Sequence, residues 1–128
     1  MRLKDYTLPV EERTCIMGVL NVTPDSFSDG GRYLDPLIAE ERARQMAEEG
    51  ADIIDIGGES SRPGAESVTS DEELSRVIPV VKALKEKLSV PLSVDTCKSS
   101  VARKALEEGV SIINDITALR GDPEMARI

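Results

Sequence analysis

Four polar side chains each follow a short apolar run in this sequence. They are Asn21, Asp55, Asp95 and Asn114. Carboxylates accept hydrogen bonds, whereas amides both donate and accept them, and this combination suits a flat heterocycle with amino, ring N–H and carbonyl groups. Any one of these residues could simply cap a turn. Four of them in equivalent places indicate a binding site.

Two segments rich in glycine and polar residues carry further candidate groups. The segment 21–31 contains Phe27, the only phenylalanine of the chain, and is expected to be a loop that covers a site. The segment 57–64 contains Ser61, Arg62 and Pro63. Its N–H groups, hydroxyls and guanidinium could hold the oxygens of a pyrophosphate. Glycine and proline pairs are also ordinary turn signals, so neither loop alone establishes catalysis.

The elements that must position these residues alternate between strand and helix. Short runs of Ile, Val and Leu predict buried parallel strands at 15–20, 53–56, 91–94 and 111–113. Amphipathic stretches predict helices at 36–49, 72–88 and 99–108, the second after a capping box from Ser70 to Glu73. Gly50 and Gly109 are predicted C-caps. Residues 122–124 resemble the N-cap and first turn of a fourth helix.

The order of these elements predicts an α/β fold of about four parallel βα units, with the last helix cut short. The segment 48–55 is echoed at 107–114, as expected of a repeated helix, turn and strand. Long loops follow the first two strands, which suits a barrel with functional βα loops. Two copies of a repeat do not distinguish a barrel from an open doubly wound sheet.

Composition excludes several classes of protein. The chain has 128 residues and a formal charge of −8, and its charges lie mainly in the predicted helices. No basic run with interleaved aromatic residues occurs, which argues against nucleic acid as a partner. Cys15 and Cys97 have no histidine to complete a zinc pattern, so we expect reduced thiols. No window approaches the roughly 20 apolar residues of a membrane span, so a cytoplasmic protein is expected.

Four segments together resemble the dihydropteroate synthases, a family of pterin-binding enzymes. They are 17–31, 55–64, 93–96 and 113–116, in family order, and the first is long and specific. The resemblance extends over essentially the whole chain. It implies a TIM barrel of which residues 1–128 would be the N-terminal half.

The resemblance also implies a reaction. Enzymes of this family join 6-hydroxymethyl-7,8-dihydropterin pyrophosphate to p-aminobenzoate, which gives 7,8-dihydropteroate and pyrophosphate, and sulfonamides mimic p-aminobenzoate. No covalent enzyme intermediate is needed, in agreement with a chain that has no histidine for a Ser-His or Cys-His pair.

Site residues follow from the matching positions. Asn21 would bind Mg²⁺, together with pyrophosphate oxygens. Asp95 and Asn114 would bind the pterin ring, with Asp55 beside them. Ser61, where the family usually has Thr, and Arg62 would face the pyrophosphate. Phe27 and Pro63 fall in the loops of the p-aminobenzoate and sulfonamide pocket.

The later pterin-binding and anion-binding residues of the family lie beyond the matched segments. We therefore expect this chain to have little or no turnover alone, and to form a homodimer or pair with a C-terminal half. Two alternatives stay open. One is a methyltetrahydrofolate-corrinoid methyltransferase, against which the first-loop motif argues, and the other is a non-catalytic pterin-binding half-barrel.

Overall fold

Strands and helices alternate along the part of the chain that the structure describes. The structure is a computed structural model that describes residues 1–3, 5–23, 35–60, 64 and 66–128. Its strands are β1 (Met17–Asn21), β2 (Ile53–Gly57), β3 (Leu92–Asp95) and β4 (Ile112–Asn114). Its helices are α1 (Pro36–Glu48), α2 (Ser70–Leu84) and α3 (Ser99–Glu107), with a 3₁₀ turn at Met125–Arg127.

All four strands are parallel, and their order in the sheet is their order in the chain. Parallel crossovers are right-handed, so successive units without a reversal place their helices on the same face. A doubly wound sheet reverses its strand order and carries helices on both faces. The sequence left open whether the fold is a barrel or an open doubly wound sheet. Within the described residues, the strand order favours the barrel.

The hydrophobic core lies between this sheet and the three helices. Leu20, Ile54, Ile56 and Val94 point from the strands toward the helices and are at most 1% exposed. Small residues let α1 approach closely, since Ala39 and Ala43 are fully buried. The other core residues of the helices are Val77, Val80, Val81, Leu84, Val101 and Ala105.

The opposite face of the sheet is partly open. Side chains alternate along a strand, so Met17, Val19 and Asn21 share this face of β1. Met17 and Val19 are 40% and 58% exposed. In a closed barrel this face is the interior.

Several features at the element ends differ from the sequence prediction. Each of the four strands ends one residue later than predicted, so Asn21, Asp95 and Asn114 belong to the strands. Helix α2 is capped by Thr69, whose hydroxyl accepts from the Glu72 N–H at 3.2 Å, so the capping box from Ser70 was wrong. Threonine one residue earlier satisfies a different orphan N–H of the first turn. The same helix also ends earlier than predicted, at Leu84.

The glycines predicted to cap α1 and α3 lie one position beyond the C-cap residues, which are Glu49 and Glu108. Gly50 and Gly109 follow α1 and α3 with φ of 109° and 105°, a backbone conformation that glycine adopts without a Cβ clash. Each allows the chain to turn directly into the next strand. The helix-to-strand joints are therefore short, and the long segments lie at the other end of the sheet.

The N-terminal segment is fastened to the start of β2. Asp52 accepts two hydrogen bonds from Arg13, at 2.5 and 2.8 Å, and one from the Ile16 N–H at 2.9 Å. These bonds lower the pKa of Asp52 to about 2. The bidentate pair aligns the entry into β1 with its neighbour β2.

The last residues return to α3. Asp122 Oδ2 accepts from the Ser99 N–H at 2.8 Å, and Asp122 Oδ1 accepts from the Glu124 N–H at 2.9 Å. The predicted N-cap at Asp122 was wrong, because the 3₁₀ turn at Met125–Arg127 has Glu124 as its N-cap. Within the described residues this single turn stands where the start of a fourth helix was predicted.

Cys15 and Cys97 are free thiols, as expected. Within the described ranges, no helix has the length and apolar character needed to cross a membrane.

Candidate functional site

One row of paired residues crosses the sheet at its carboxyl end. The strand register places Asn21 beside Gly57, Gly57 beside Asp95, and Asp95 beside Asn114. Residues paired in this way project to the same face, which is the face opposite the helices. Three of the four predicted strand-tip residues are therefore brought together, with a glycine among them.

Gly57 keeps the middle of this row open. A Cβ at this position would lie 3.3 Å from Asn21 Oδ1 and 3.9 Å from the Asp95 Cβ. Any larger side chain would fill the space between these two residues. A flat ligand can instead lie against the backbone here.

Asp55 is not a strand tip, which corrects the sequence prediction. It lies inside β2, two residues before Gly57, and pairs with Val19 and Ser93 in the row below. Asp55 is only 3% exposed, and its Oδ2 accepts a hydrogen bond from Asn114 Nδ2 at 3.0 Å. Asp55 therefore supports Asn114 from below. One amide hydrogen and the carbonyl oxygen of Asn114 stay available to a ligand.

Two buried polar atoms beneath the row have no hydrogen-bond partner among the described residues. They are Asp55 Oδ1 and Ser93 Oγ, on neighbouring strands. Buried groups of this kind are normally satisfied by an ordered water or a ligand, since leaving them unpaired costs about 1–3 kcal/mol. Their position marks the floor of the site as polar.

Asp95 has an unusual electrostatic environment. Partial burial and the nearby carboxylates of Asp55, Glu73 and Asp115 raise its pKa to about 6. At pH 7 Asp95 is thus more ionised than protonated, and its charge is poorly solvated. A ligand that donates N–H groups to this carboxylate replaces the missing solvation.

A second group of charges lies beside the row and was not predicted from the sequence. Lys98 Nζ donates to Glu59, and to Glu73 Oε2 at 2.6 Å. Arg76 donates to the Gly58 carbonyl at 2.7 Å and to Glu72. Glu73 is fully buried in the first turn of α2, where sequence patterns predict solvent-exposed acidic residues.

The loop after β4 is held by one carboxylate. Asp115 accepts from the Thr117 N–H and hydroxyl, both at 2.8 Å, and from the Leu119 N–H at 2.9 Å. Ala118 and Leu119 adopt positive φ values of 53° and 66°. Non-glycine residues in this conformation are strained and concentrate at functional sites. The strained turn directly follows Asn114.

Four predicted site residues lie outside the described residues. They are Phe27, Ser61, Arg62 and Pro63. Their proposed contacts with substrate stay predictions.

A metal ligand is available in the row. The residues that the structure describes contain no group of three His, Cys, Asp or Glu side chains suited to a metal ion. Asn21 nevertheless fits the predicted role, because its amide oxygen borders the open space above Gly57. Mg²⁺ commonly takes only one or two protein oxygens and completes its shell with water and substrate phosphates.

A polar row at the carboxyl end of a parallel sheet is the place where α/β enzymes bind their ligands. The chain belongs to the pterin-binding enzyme family, whose model matches residues 17–128. Within that family it is similar to the dihydropteroate synthase of Bacillus subtilis, with 56% identity over 127 residues. That alignment covers 98% of this chain and 44% of the relative.

Solved structures of dihydropteroate synthases are similar to this chain in both sequence and fold. A dihydropteroate synthase from Clostridium difficile, determined in the presence of pteroic acid, is 58% identical with a TM-score of 0.86, over 90% of this chain and 44% of that one. The Yersinia pestis enzyme in a sulfonamide drug complex is 48% identical with a TM-score of 0.85, over 94% and 43%. The chain spans under half the length of these relatives. Its four strands and three helices correspond to about the first half of their TIM barrel.

Proposed function

We propose that this chain forms the pterin-binding half of a dihydropteroate synthase. The enzyme would join 6-hydroxymethyl-7,8-dihydropterin pyrophosphate to p-aminobenzoate and release pyrophosphate. One observation carries the proposal. Asn21, Gly57, Asp95 and Asn114 form a single row at the carboxyl end of the sheet, with Asp55 bonded to Asn114 from below.

The proposed ring contacts follow from the donors and acceptors of this row. The Asp95 carboxylate accepts hydrogen bonds from the ring N–H and amino groups of the pterin. Asn114 pairs an adjacent donor and acceptor on the same ring, since its other amide hydrogen is bonded to Asp55. Gly57 leaves the backbone accessible to the ring face.

The reaction breaks the bond between the methylene carbon and the pyrophosphate oxygen and forms a carbon–nitrogen bond to the aniline nitrogen. The aniline nitrogen loses a proton to solvent. Positive charge that develops on the methylene group spreads into the pterin, where the ionised Asp95 stabilises it. Ser61 and Arg62 would donate to the departing pyrophosphate, and Phe27 and Pro63 would border p-aminobenzoate.

The proposed cofactor is Mg²⁺, with Asn21 as its ligand from this chain. When bound, Mg²⁺ supplies positive charge that offsets the charge of the leaving pyrophosphate. Asn21 is suited to this role because a neutral amide oxygen binds a hard cation without adding a negative charge beside Asp95.

Completion of the barrel is part of the proposal. The face that carries the row also exposes Met17 and Val19. A C-terminal half, or a second copy in a homodimer, would cover these apolar residues and supply the remaining ligand contacts. We expect the isolated chain to bind the pterin and to turn over little. The free thiols of Cys15 and Cys97 support a reducing, cytoplasmic location.

Calorimetry tests the proposal. The chain is titrated with the pterin pyrophosphate and Mg²⁺, next to Asp95→Ala and the matched exposed control Asp71→Ala. Binding by the wild-type chain and by Asp71→Ala, but not by Asp95→Ala, supports the proposal. Retained affinity in Asp95→Ala would overturn the role of Asp95. Preference for methyltetrahydrofolate over the pyrophosphate would favour the corrinoid methyltransferase instead.

A further inference from the structure

A partly buried group of charges joins three elements at the carboxyl end of the sheet. It consists of Glu59 after β2, Glu73 in α2 and Lys98 at the N-cap of α3. The side chains of Glu73 and Lys98 are 1% and 19% exposed. Removing charges from water costs several kcal/mol per ion, so a buried ion pair often stabilises a protein no more than apolar residues of the same volume would. Stability alone therefore gives a weak reason for this group.

Glu59 connects the two ends of the β2–α2 loop. It follows Gly57 and Gly58 at the end of β2, and its carboxylate also accepts hydrogen bonds from the Ser67 hydroxyl and the Val68 N–H shortly before α2. Burial raises the pKa of Glu59, but the bonds from Lys98 and Ser67 outweigh it and leave the pKa below its usual value. The ionised carboxylate thus closes the base of the loop.

Helix α2 packs directly on the start of the same loop. A Cβ at Gly58 would lie 2.7 Å from Val77 Cγ2 and 3.0 Å from Glu73 Cγ, so no space separates them. Arg76 Nη1 holds the Gly58 carbonyl at 2.7 Å. The loop base is therefore fixed to α2 by packing, by Arg76 and by the ion pair network through Glu73.

Lys98 links this assembly to the pterin row. It follows Asp95 by three residues, and its N–H donates to Thr96 Oγ1 at 3.2 Å. The ammonium is bonded to Glu59 and Glu73. One side chain thus connects the tip of β3 to both ends of the β2–α2 loop.

We propose that Lys98 is a positioning residue that fixes the base of the β2–α2 loop relative to Asp95. It acts through Glu59 and Glu73 and makes no bond to the reacting atoms. Its consequence for ligands rests on the proposed function. Loss of Lys98 weakens recognition of the pyrophosphate group, which the loop would bind, more than recognition of the pterin ring, which Asp95 and Asn114 would bind.

Amide hydrogen exchange tests the linkage without any ligand. Lys98→Met is compared with Lys98→Arg and with Lys85→Met, an exposed lysine outside the cluster. Because Lys98→Met leaves Glu73 buried and unpaired, a double variant with Glu73→Gln keeps the test valid if the single variant unfolds. Loss of a charge-assisted bond predicts about a tenfold faster exchange of the Val68 N–H in Lys98→Met and in the double variant.

The sheet amides of Ile54 and Val94 report global unfolding in the same experiment. Their exchange is expected to stay unchanged in the double variant, and Lys98→Arg and Lys85→Met are expected to protect Val68 as the wild type does. Unchanged protection of Val68 in a folded double variant would overturn the proposal.

Calorimetry then separates positioning from general structural damage. The probes are 6-hydroxymethyl-7,8-dihydropterin and its pyrophosphate, the latter with Mg²⁺. In the wild type, the pyrophosphate is expected to bind more tightly than 6-hydroxymethyl-7,8-dihydropterin. In the double variant this difference in affinity should shrink about tenfold, while 6-hydroxymethyl-7,8-dihydropterin itself binds within about threefold of wild type. Lys98→Arg should restore the difference. An equal loss for both probes would refute positioning. A wild-type chain that binds neither probe would refute the proposed function, whereas the exchange result would still decide the linkage.

Discussion

Asn114 Nδ2 donates a hydrogen bond to Asp55 Oδ2 at 3.0 Å, from β4 to β2 and so between strands that are not neighbours in the sheet. The bond passes over β3, which carries Ser93 and Asp95 on the same face. It fixes the orientation of the Asn114 amide before any ligand arrives. The two residues therefore act as a unit, although only Asn114 lies in the row.

The charge of Asp55 is one reason for the raised pKa of Asp95, after burial. Asp55→Asn keeps an oxygen that can accept from Asn114 but removes this charge. We expect the pKa of Asp95 to fall from about 6 by roughly one unit. A carboxyl NMR titration measures it, with Asp71→Asn as the control. An unchanged pKa of Asp95 would show that the charge of Asp55 does not contribute to the shift.

Asp95 should make stability depend on pH. Its folded-state pKa of about 6 lies above the ordinary value of 3.8, so the folded chain resists ionisation. The charge of Asp95 therefore lowers the free energy of unfolding. This effect is absent below pH 3.8, grows as pH rises, and is complete above about pH 6. Asp95→Asn removes it. Because this partly exposed carboxylate is screened by water, we expect a gain of roughly 1 kcal/mol at pH 7.5 and almost none at pH 4.

Urea unfolding of Asp95→Asn and wild type at both pH values measures this gain. The variant with Glu48→Gln, an exposed carboxylate in α1, serves as the control. A gain of equal size at pH 4 and pH 7.5 would contradict the electrostatic explanation.

Replacing Gly58 by alanine should lower stability, whereas replacing its neighbour Gly57 should weaken pterin binding. Gly58→Ala places a Cβ 2.7 Å from Val77 in the core, and such overpacking typically costs 1–3 kcal/mol. Gly57→Ala points to the open face, 3.3 Å from Asn21 Oδ1. We expect a lower unfolding temperature for Gly58→Ala, and near-normal unfolding with weakened pterin binding for Gly57→Ala. Thermal unfolding and calorimetry separate the two, and equal loss of stability in both variants would contradict the assignment of the two faces.

The Arg13–Asp52 pair should stabilise the chain only while Asp52 is ionised. The hydrogen bonds from Arg13 and Ile16 lower the pKa of Asp52 to about 2, below its ordinary 3.8. A depressed carboxyl pKa contributes stability above the ordinary value, and this is lost as pH falls toward about 2. Asp52→Asn should therefore unfold at a lower temperature than wild type at pH 7, with a difference that shrinks between pH 4 and pH 2. A difference that is constant with pH would point to packing instead.

The sequence predicted the parallel βα order because apolar runs and glycine caps are local signals. It also identified Asn21, Asp95 and Asn114, since each ends such a run. Asp55 was misplaced because the run continues through Ile56, so a polar residue inside a buried strand looked like its end. Only the register shows that Asp55 lies one row below.

The charge cluster had no comparable local signal. Glu73 belongs to an acidic first turn that is normal at a helix N-terminus, and Lys98 is a single lysine near the start of another helix. Their contact with Glu59 arises only when α2 and α3 pack side by side. Burial of Glu73 is thus a property of the tertiary structure.

The row from Asn21 to Asn114 also has a defined length. Adjacent strands are about 4.8 Å apart, so the three intervals of this sheet give the row a length of roughly 14 Å. In the proposed function, a ring bound by Asp95 and Asn114 would occupy the last interval, and a substituent would have to extend over Gly57 across the other two to reach Asn21. The length of the ligand would then be selected along with its ring chemistry. A ligand with the right heterocycle and too short an arm would be held at one end only.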